Sequence, residues 1–262
     1  MNERVRFDAS DAAYPAGALC VGVALWWAIT LVTDVPPFVL PPPSAVAARL
    51  VGNPELYLAN AWYTLEKIVY GGTVGIAAGI GLALLVAYVP WFRRAVYPYL
   101  VTVRVLPKLA IAPLLLIYVG MGTTTAVVFV ALIAFFPLVL NAAAGLDRAP
   151  SEHHELLRSV NAGAVERILY VDVPYALPDF FAGLKQSVTL AVVGAVVAEW
   201  VVSDDGLGYL VLSGSENVRP DVMLAALVVL VLEGLALYGA VVVAQRGVYG
   251  WLDLEGGTAG MD

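Results

Sequence analysis

Charged residues are scarce in this 262-residue chain. Asp, Glu, Lys and Arg together make up 13% of it, against ~25% in a typical soluble domain. Hydrophobic residues make up 61%, and the mean hydropathy is +0.84. A soluble domain of this size exposes too much surface to hide so much apolar area. The composition therefore excludes a soluble enzyme and a disordered chain, and it indicates an integral membrane protein that lies in a lipid bilayer.

Cysteine, histidine and basic residues are also few. The single cysteine, Cys20, excludes a disulfide scaffold. The two histidines, His153 and His154, are adjacent and point to different faces of a helix, so they do not match the i,i+4 spacing of a helical metal site. The net charge of −7 argues against a nucleic-acid partner. We expect no metal site and no cofactor in this chain.

Motifs of catalysis are missing from the sequence. It has no Gly-rich phosphate-binding loop of the Walker type and no nucleophile elbow around a serine. We therefore expect that the protein is not an enzyme.

Long uncharged stretches indicate the membrane spans, because a membrane helix needs about 20 mostly apolar residues. The uncharged run 109–146 is too long for one helix, and Gly120-Met121-Gly122 divides it. The sequence predicts one transmembrane domain over residues 1–262 with six helices. The predicted spans are about 16–33, 64–89, 97–119, 124–144, 181–202 and 222–245. Five spans are the alternative, if the proline-containing third segment only re-enters the membrane.

The basic residues favour one orientation. If the N-terminus is inside, nine Lys and Arg residues fall in inner segments and three, Arg49, Lys67 and Arg219, in outer ones. Inner loops of membrane proteins are enriched in Lys and Arg. The sequence thus predicts a multi-pass protein of the cell membrane with both termini in the cytoplasm.

The segment 151–174 is the most polar part of the chain and is predicted to be cytoplasmic. Leu156, Leu157 and Val160 give its first helix an apolar edge, and Asn161 can end that helix because Asn tolerates the left-handed conformation. A second helical stretch, about 164–171, is predicted to stop before Pro174. A docking element and a helix lying on the bilayer surface fit this pattern equally well.

This segment resembles the cytoplasmic signature of the permease subunits of bacterial and archaeal ABC importers. That signature is Glu-Ala-Ala, three residues, Gly, nine residues, Ile, one residue, Leu-Pro. Here the same spacing reads Glu155-Leu156-Leu157, three residues, Asn161, nine residues, Val171, Asp172, Val173-Pro174. Two leucines replace the alanines, and Asn161 replaces the glycine.

Other motifs resemble the nitrate/sulfonate/taurine-type branch of these permeases. The resemblance extends from about residue 38 to 247 and includes Leu40-Pro41-Pro42-Pro43-Ser44, Pro107-Lys108-Leu109-Ala110-Ile111-Ala112-Pro113, Gly120-Met121-Gly122, Phe135-Phe136-Pro137, and Ala198-Glu199 followed by Gly206-Leu207-Gly208-Tyr209.

The resemblance implies a fold, a function and partners. The fold is an all-α, six-helix type I ABC importer permease bundle with cytoplasmic coupling helices. The function is ATP-driven import of a small anionic solute such as nitrate, a sulfonate or taurine. The partners are cytoplasmic ATPase subunits that bind ATP and Mg, an external solute-binding protein and a second copy of the permease, as a homodimer. The implied ATPase-coupling residues are Glu155, Leu156, Leu157, Val160, Asn161 and Pro174. The alternative is a secondary transporter driven by an ion gradient.

Four charged residues lie in or near the predicted spans. Arg104 and Lys108 are one turn apart in the third span, and Glu199 and Glu233 lie in or near the last two. Such residues are costly in a membrane and face the bundle interior or water. Arg104 and Lys108 could line an anion path. The interpretation that we favour is an ion pair with Glu199 or Glu233, or a side chain reaching the inner surface.

Small residues recur every four positions along the second span, at Gly71, Gly75 and Gly79 and then at Ala83 and Ala87. Such a stripe allows close contact with another helix. We expect that helix to belong to the same subunit rather than to a second copy.

Overall fold

The computed structural model describes residues 9–33, 35–103 and 107–252. These residues form eleven α-helices and no strand. The helices are α1 (Ala9–Val32), α2 (Pro43–Gly52), α3 (Pro54–Tyr88), α4 (Pro90–Val103), α5 (Ala112–Val119), α6 (Thr123–Leu146), α7 (Ser151–Ser159), α8 (Ala164–Arg167), α9 (Val173–Val202), α10 (Leu207–Glu216) and α11 (Pro220–Trp251). A 3₁₀ turn, Lys108–Ile111, precedes α5, and a π-helical segment, Ile168–Asp172, joins α8 to α9.

Proline and glycine set several helix ends. Pro54 and Pro220 open their helices, where a missing N–H costs nothing. Gly120 and Gly122 separate α5 from α6 with φ angles of 95° and 119°. These angles lie in a region that L side chains rarely adopt, which explains why the predicted break falls at this glycine pair.

The centre of the bundle is α6, which packs against α3 on one side and α9 on the other. The predicted glycine stripe on α3 lies at the contact between α3 and α6. A Cβ atom on Gly71 would lie 2.6 Å from the Cβ of Val130, and one on Gly75 would strike the backbone of Ala131. The stripe therefore packs against a helix of the same chain, as we expected.

Five helices are long and apolar enough to cross a membrane, and a sixth crossing exists if one bent pair counts as a span. That pair is α4 and the segment Lys108–Val119, bent by 97°. The third predicted span, 97–119, is thus not one straight helix.

The ends of this bent pair lie at opposite ends of α6. Arg93, near the start of α4, pairs with Asp147, just after α6, with 2.6 Å between Nη2 and Oδ2. The other end of the pair, Val119, lies four residues before Thr123, the first residue of α6. A 24-residue helix is about 36 Å long. The bent pair therefore connects the two ends of a membrane-length helix, which supports six crossings.

Residues 164–202 run without interruption from α8 through the π-helical segment into α9. The prediction that the second helical stretch stops before Pro174 is therefore wrong, and α9 begins at Val173 rather than near 181. Pro174 directly follows the π-helical segment, where the N–H of Val173 donates to the carbonyl of Ile168, five residues back, so its missing N–H falls where the regular i→i−4 pattern already changes. We call the end of the bundle with Tyr88, Asp147 and Asp172 the α7 end, and the opposite end, with Glu199 and Gly206, the α10 end.

Candidate functional site: the α7 end and the α10 end of the bundle

Helix α7 lies on the surface of the α7 end and has no buried residue. Leu156 and Val160 are 63% and 68% exposed, Glu155 is exposed, and Leu157 is half-buried. Large apolar side chains on an otherwise polar, exposed helix are a feature of contact surfaces. Glu155, Leu156 and Val160 are thus accessible from outside the chain, and Leu157 is only partly so.

Asn161 closes this helix in the left-handed conformation, with φ of 55°, which confirms the conformation predicted from its position. The backbone N–H of Asn161 donates to the carbonyl of Arg158 at 3.0 Å, and the N–H of Ala162 donates to the carbonyl of Leu157 at 2.9 Å. These bonds satisfy carbonyls at the end of α7. Pro174 lies half-buried in the first turn of α9.

Both histidines of α7 contact the segment that leads into α9. The Nε2 atom of His153 lies 3.2 Å from the hydroxyl of Tyr175. The Nε2 atom of His154 lies 3.5 Å from Oδ1 of Asp172. The hydroxyl of Tyr88, at the end of α3, donates to Oδ2 of the same Asp172 at 2.8 Å. Sequence reasoning missed this group, because the π-helical segment that turns Asp172 inward leaves no trace in the hydropathy pattern.

A cavity of about 340 Å³ lies beside these contacts. Its lining includes Tyr88, Leu146, Arg158 and Arg167. It separates part of α7 from the ends of α3 and α6, so α7 is not packed tightly onto the bundle.

The α10 end contains a buried ion pair. Lys67 on α3 is 2% exposed and Glu199 on α9 is 0% exposed, and 3.1 Å separates Nζ from Oε1. Lys67 also contacts Oδ1 of Asp205 at 2.5 Å and the backbone carbonyl of Asp205 at 3.2 Å. Buried charges are tolerated only when their remaining hydrogen-bonding groups are satisfied. Lys67 and Glu199 both meet this condition.

Three successive backbone N–H groups at the start of α10 bind side chains of this cluster. The N–H of Gly206 donates to Asn60 at 2.8 Å, that of Leu207 to Thr64 at 2.8 Å, and that of Gly208 to Glu199 at 2.7 Å. A Cβ atom on Gly206 would strike the carboxylate of Glu199. A Cβ atom on Gly208 would lie 2.7 Å from its Oε2. The Gly206-Leu207-Gly208 motif thus admits a carboxylate against the backbone.

Glu199 pairs with Lys67, so the predicted pairing of Glu199 with Lys108 is wrong. In the sequence analysis, Lys67 entered only as one of the three basic residues on the outer side of the membrane. Arg104 lies outside the described residues, and Nζ of Lys108 lies 5.1 Å from the ring centroid of Phe136. Both carboxylate oxygens of Glu233 are buried and have no hydrogen-bond partner in the described part of the chain. The structure therefore does not bring Glu233 together with Lys108.

Comparison with known proteins assigns the class. Residues 75–249 match the profile of the binding-protein-dependent transport system inner membrane component family, and the chain belongs to this family. It is an ABC importer permease subunit of the inner membrane and not an enzyme, which excludes the ion-gradient alternative. Permeases of this kind typically act with an ATPase and a binding protein.

Several curated proteins are similar along most of the chain. A probable ABC transporter permease protein of Haemophilus influenzae is 36% identical over 84% of this chain and 91% of its own length. The formylaminopyrimidine transport permease ThiX of Halalkalibacterium halodurans is 34% identical, over 70% of this chain and 74% of its own. The taurine transport permease TauC of Escherichia coli is 27% identical, over 90% of this chain and 88% of its own.

The fold has solved counterparts. An inward-facing structure of the MetNI methionine ABC transporter matches with a TM-score of 0.65 and 21% identity, covering 75% of this chain and 98% of the matched chain. At this identity the likeness concerns the fold, which is that of a type I importer permease.

Proposed function

We propose that two copies of this chain form a homodimeric pathway in which ATP hydrolysis by two cytoplasmic ATPase subunits drives uptake of a small anionic solute from an external binding protein. ATP and Mg are bound by the ATPase subunits. The α7 end faces the cytoplasm, and the α10 end faces the binding protein. The permease alternates between inward-open and outward-open states as the ATPases open and close.

The observation that carries this proposal is the exposed surface of α7. Leu156 and Val160 are exposed apolar side chains at the end where α3, α6 and α9 meet, and burying them in an apolar groove on the ATPase is favourable. The exposed carboxylate of Glu155 can accept hydrogen bonds from a basic or amide group there, and such charge-assisted bonds are the stronger ones.

The anionic solute rests on the resemblance to the nitrate/sulfonate/taurine branch and on the taurine permease among the relatives. A second candidate, a pyrimidine, is favoured by the higher identity, 34%, of the formylaminopyrimidine permease. Both solutes are small and polar, and the external binding protein would select between them.

The class of partner is tested by purification. The tagged chain, extracted from its source cells in mild detergent, should retain a subunit that hydrolyses ATP with inhibition by vanadate. Glu155→Ala should reduce the amount of this subunit, and Glu152→Ala, an exposed acid on the same helix, is the matched control. Wild-type recovery of the ATPase with Glu155→Ala would contradict the docking role of α7.

The solute is tested in cells that lack this gene. Uptake of labelled nitrate, taurine, an alkanesulfonate and a formylaminopyrimidine is compared with that of the parent strain. We expect loss of uptake of one anion. Loss confined to the pyrimidine would replace the first candidate by the second.

A further inference from the structure

Three side chains from three elements meet where α7 lies against the π-helical segment. Tyr88 is the last residue of α3, Asp172 is the last residue of the π-helical segment, and His154 lies on α7. The Asp172 residue is 3% exposed. Its Oδ2 accepts the 2.8 Å hydrogen bond from Tyr88, and its Oδ1 lies 3.5 Å from His154.

The burial of Asp172 makes this contact hard to break. A buried carboxylate without partners is strongly disfavoured. Oδ1 makes no hydrogen bond within the described ranges, and the nitrogen that lies against it is Nε2 of His154, 3.5 Å away. Moving α7 away would leave that oxygen isolated, whereas moving α7 together with α3 and α9 preserves the group. Short π-helical segments are frequent at functional sites.

Other routes from α7 into the bundle are weaker. The cavity of about 340 Å³ replaces direct packing of part of α7 against the ends of α3 and α6. The second histidine contact, His153 with Tyr175, is exposed and reaches only α9. The Tyr88–Asp172–His154 group, which lines one side of this cavity, therefore connects the half-buried His154 of α7 to two long spans at once.

We infer that Tyr88, Asp172 and His154 form a coupling joint that transmits movement of α7 to α3 and α9. They are positioning residues: none of them is assigned a contact with solute or ATP. This inference rests on the proposed function, in which α7 docks on the ATPase. At the opposite end, the Lys67–Glu199 pair and the start of α10 bind α10 to the same two helices. Movement transmitted by the joint should consequently reach α10.

The test uses the intact complex of the permease and its co-purified ATPase in lipid nanodiscs. A bimane fluorophore is attached to Glu216→Cys, an exposed position at the end of α10, in a background with Cys20→Ala. Addition of ATP, Mg and vanadate traps the ATPase, and the change in bimane emission reports on α10. No solute is needed, so the assay does not depend on its identity.

Tyr88→Phe and Asp172→Asn should leave the ATPase bound and vanadate-sensitive, but the emission change should fall to about a tenth, because an effector shifts a conformational equilibrium only as far as its coupling allows. His154→Gln, which retains an N–H donor near Asp172, should keep most of the change, whereas His154→Ala should lose it. His153→Ala, one position away, is the matched control and should respond like the parent.

The proposed joint is wrong if Tyr88→Phe and His154→Ala, with the ATPase bound and trapped, show the same emission change as the complex without these substitutions. Both variants keep the buried carboxylate, so they decide the question even if Asp172→Asn fails to accumulate. Failure of the proposed function gives a different result: the parent itself then retains no ATPase, or Glu155→Ala leaves its binding intact.

Discussion

At the α10 end, the carboxylate of Glu199 on α9 contacts both α3 and α10. It accepts a 2.9 Å hydrogen bond from Thr64, the ion pair from Lys67 and the N–H of Gly208. Neither ion of the pair is exposed, and removal of one partner from such a pair leaves an uncompensated buried charge. The strength of this end of the bundle therefore depends on the two ions being present together.

Lys67→Met should lower the free energy of unfolding by about 3–5 kcal/mol, the usual cost of breaking a buried ion pair. The double variant Lys67→Met with Glu199→Gln should recover part of the loss because no isolated charge remains. Thermal unfolding in detergent measures both. Lys185→Met, a half-buried lysine outside this cluster, serves as control. A Lys67→Met protein as stable as the Lys185→Met protein would contradict the importance of the pair.

Asn161→Gly should be nearly silent, since glycine adopts positive φ without strain. Asn161→Val should cost about 1–2 kcal/mol in ATPase binding, because a β-branched side chain is strained in the left-handed conformation that ends α7. The measurement is the dissociation constant of the purified ATPase for each variant in nanodiscs. Equal affinities of the glycine and valine variants for the ATPase would show that the conformation of this turn does not position α7 for docking.

The two residues differ in how far the sequence could predict them. Asn161 was predictable because its φ depends on local geometry at the end of a short helix. The role of Lys67 was not, because its partners Glu199 and Asp205 lie 132 and 138 residues away along the chain. Charge counting treats such a lysine as a loop residue, and only the packed helices show that it is buried.

At the scale of elements, α3 and α6 approach closely because α3 presents glycine to α6. The Cβ of an alanine at position 75 would strike the backbone carbonyl of Ala131, and the backbone cannot rotate away as a side chain can. The same helix carries Gly81, which faces open space. The two positions form a matched pair in one helix.

Gly75→Ala should lower the free energy of unfolding by about 1–3 kcal/mol, the typical cost of overpacking. Gly81→Ala should be neutral or stabilising by up to about 1 kcal/mol, since alanine favours the helix. Thermal unfolding of both purified proteins distinguishes the two sites. Comparable loss in both would mean that flexibility, and not helix contact, explains the glycines.

Element prediction succeeded where hydropathy and glycine spacing carry the information. The break at Gly120 and Gly122 and the stripe on α3 both follow from local composition. The continuous helix from α8 to α9 could not be predicted in this way, because Pro174 is typical of a helix end. Pro174 is accommodated because it directly follows the π-helical segment, where the i→i−4 hydrogen-bond pattern already changes. That segment is not encoded by residue periodicity.

At the scale of the whole molecule, the arrangement of ion pairs constrains the path of the chain. Arg93 and Asp147 meet at one end of α6, so both must lie on the same side of the membrane. Tyr88 and Asp172 meet at that end too. The bent segment between Pro90 and Val119 must then carry the chain to the opposite side, where α6 begins.

This arrangement predicts the outcome of thiol labelling in a Cys20→Ala background. Arg94→Cys and Asn161→Cys, both exposed, should be protected from an impermeant reagent added to intact cells. Glu216→Cys, exposed at the end of α10, should react. All three should react after the cells are opened. Labelling of Asn161→Cys with protection of Glu216→Cys would reverse the orientation that the basic residues favour. Labelling of only one of Arg94→Cys and Asn161→Cys would mean that the bent segment re-enters and that the chain crosses the membrane five times.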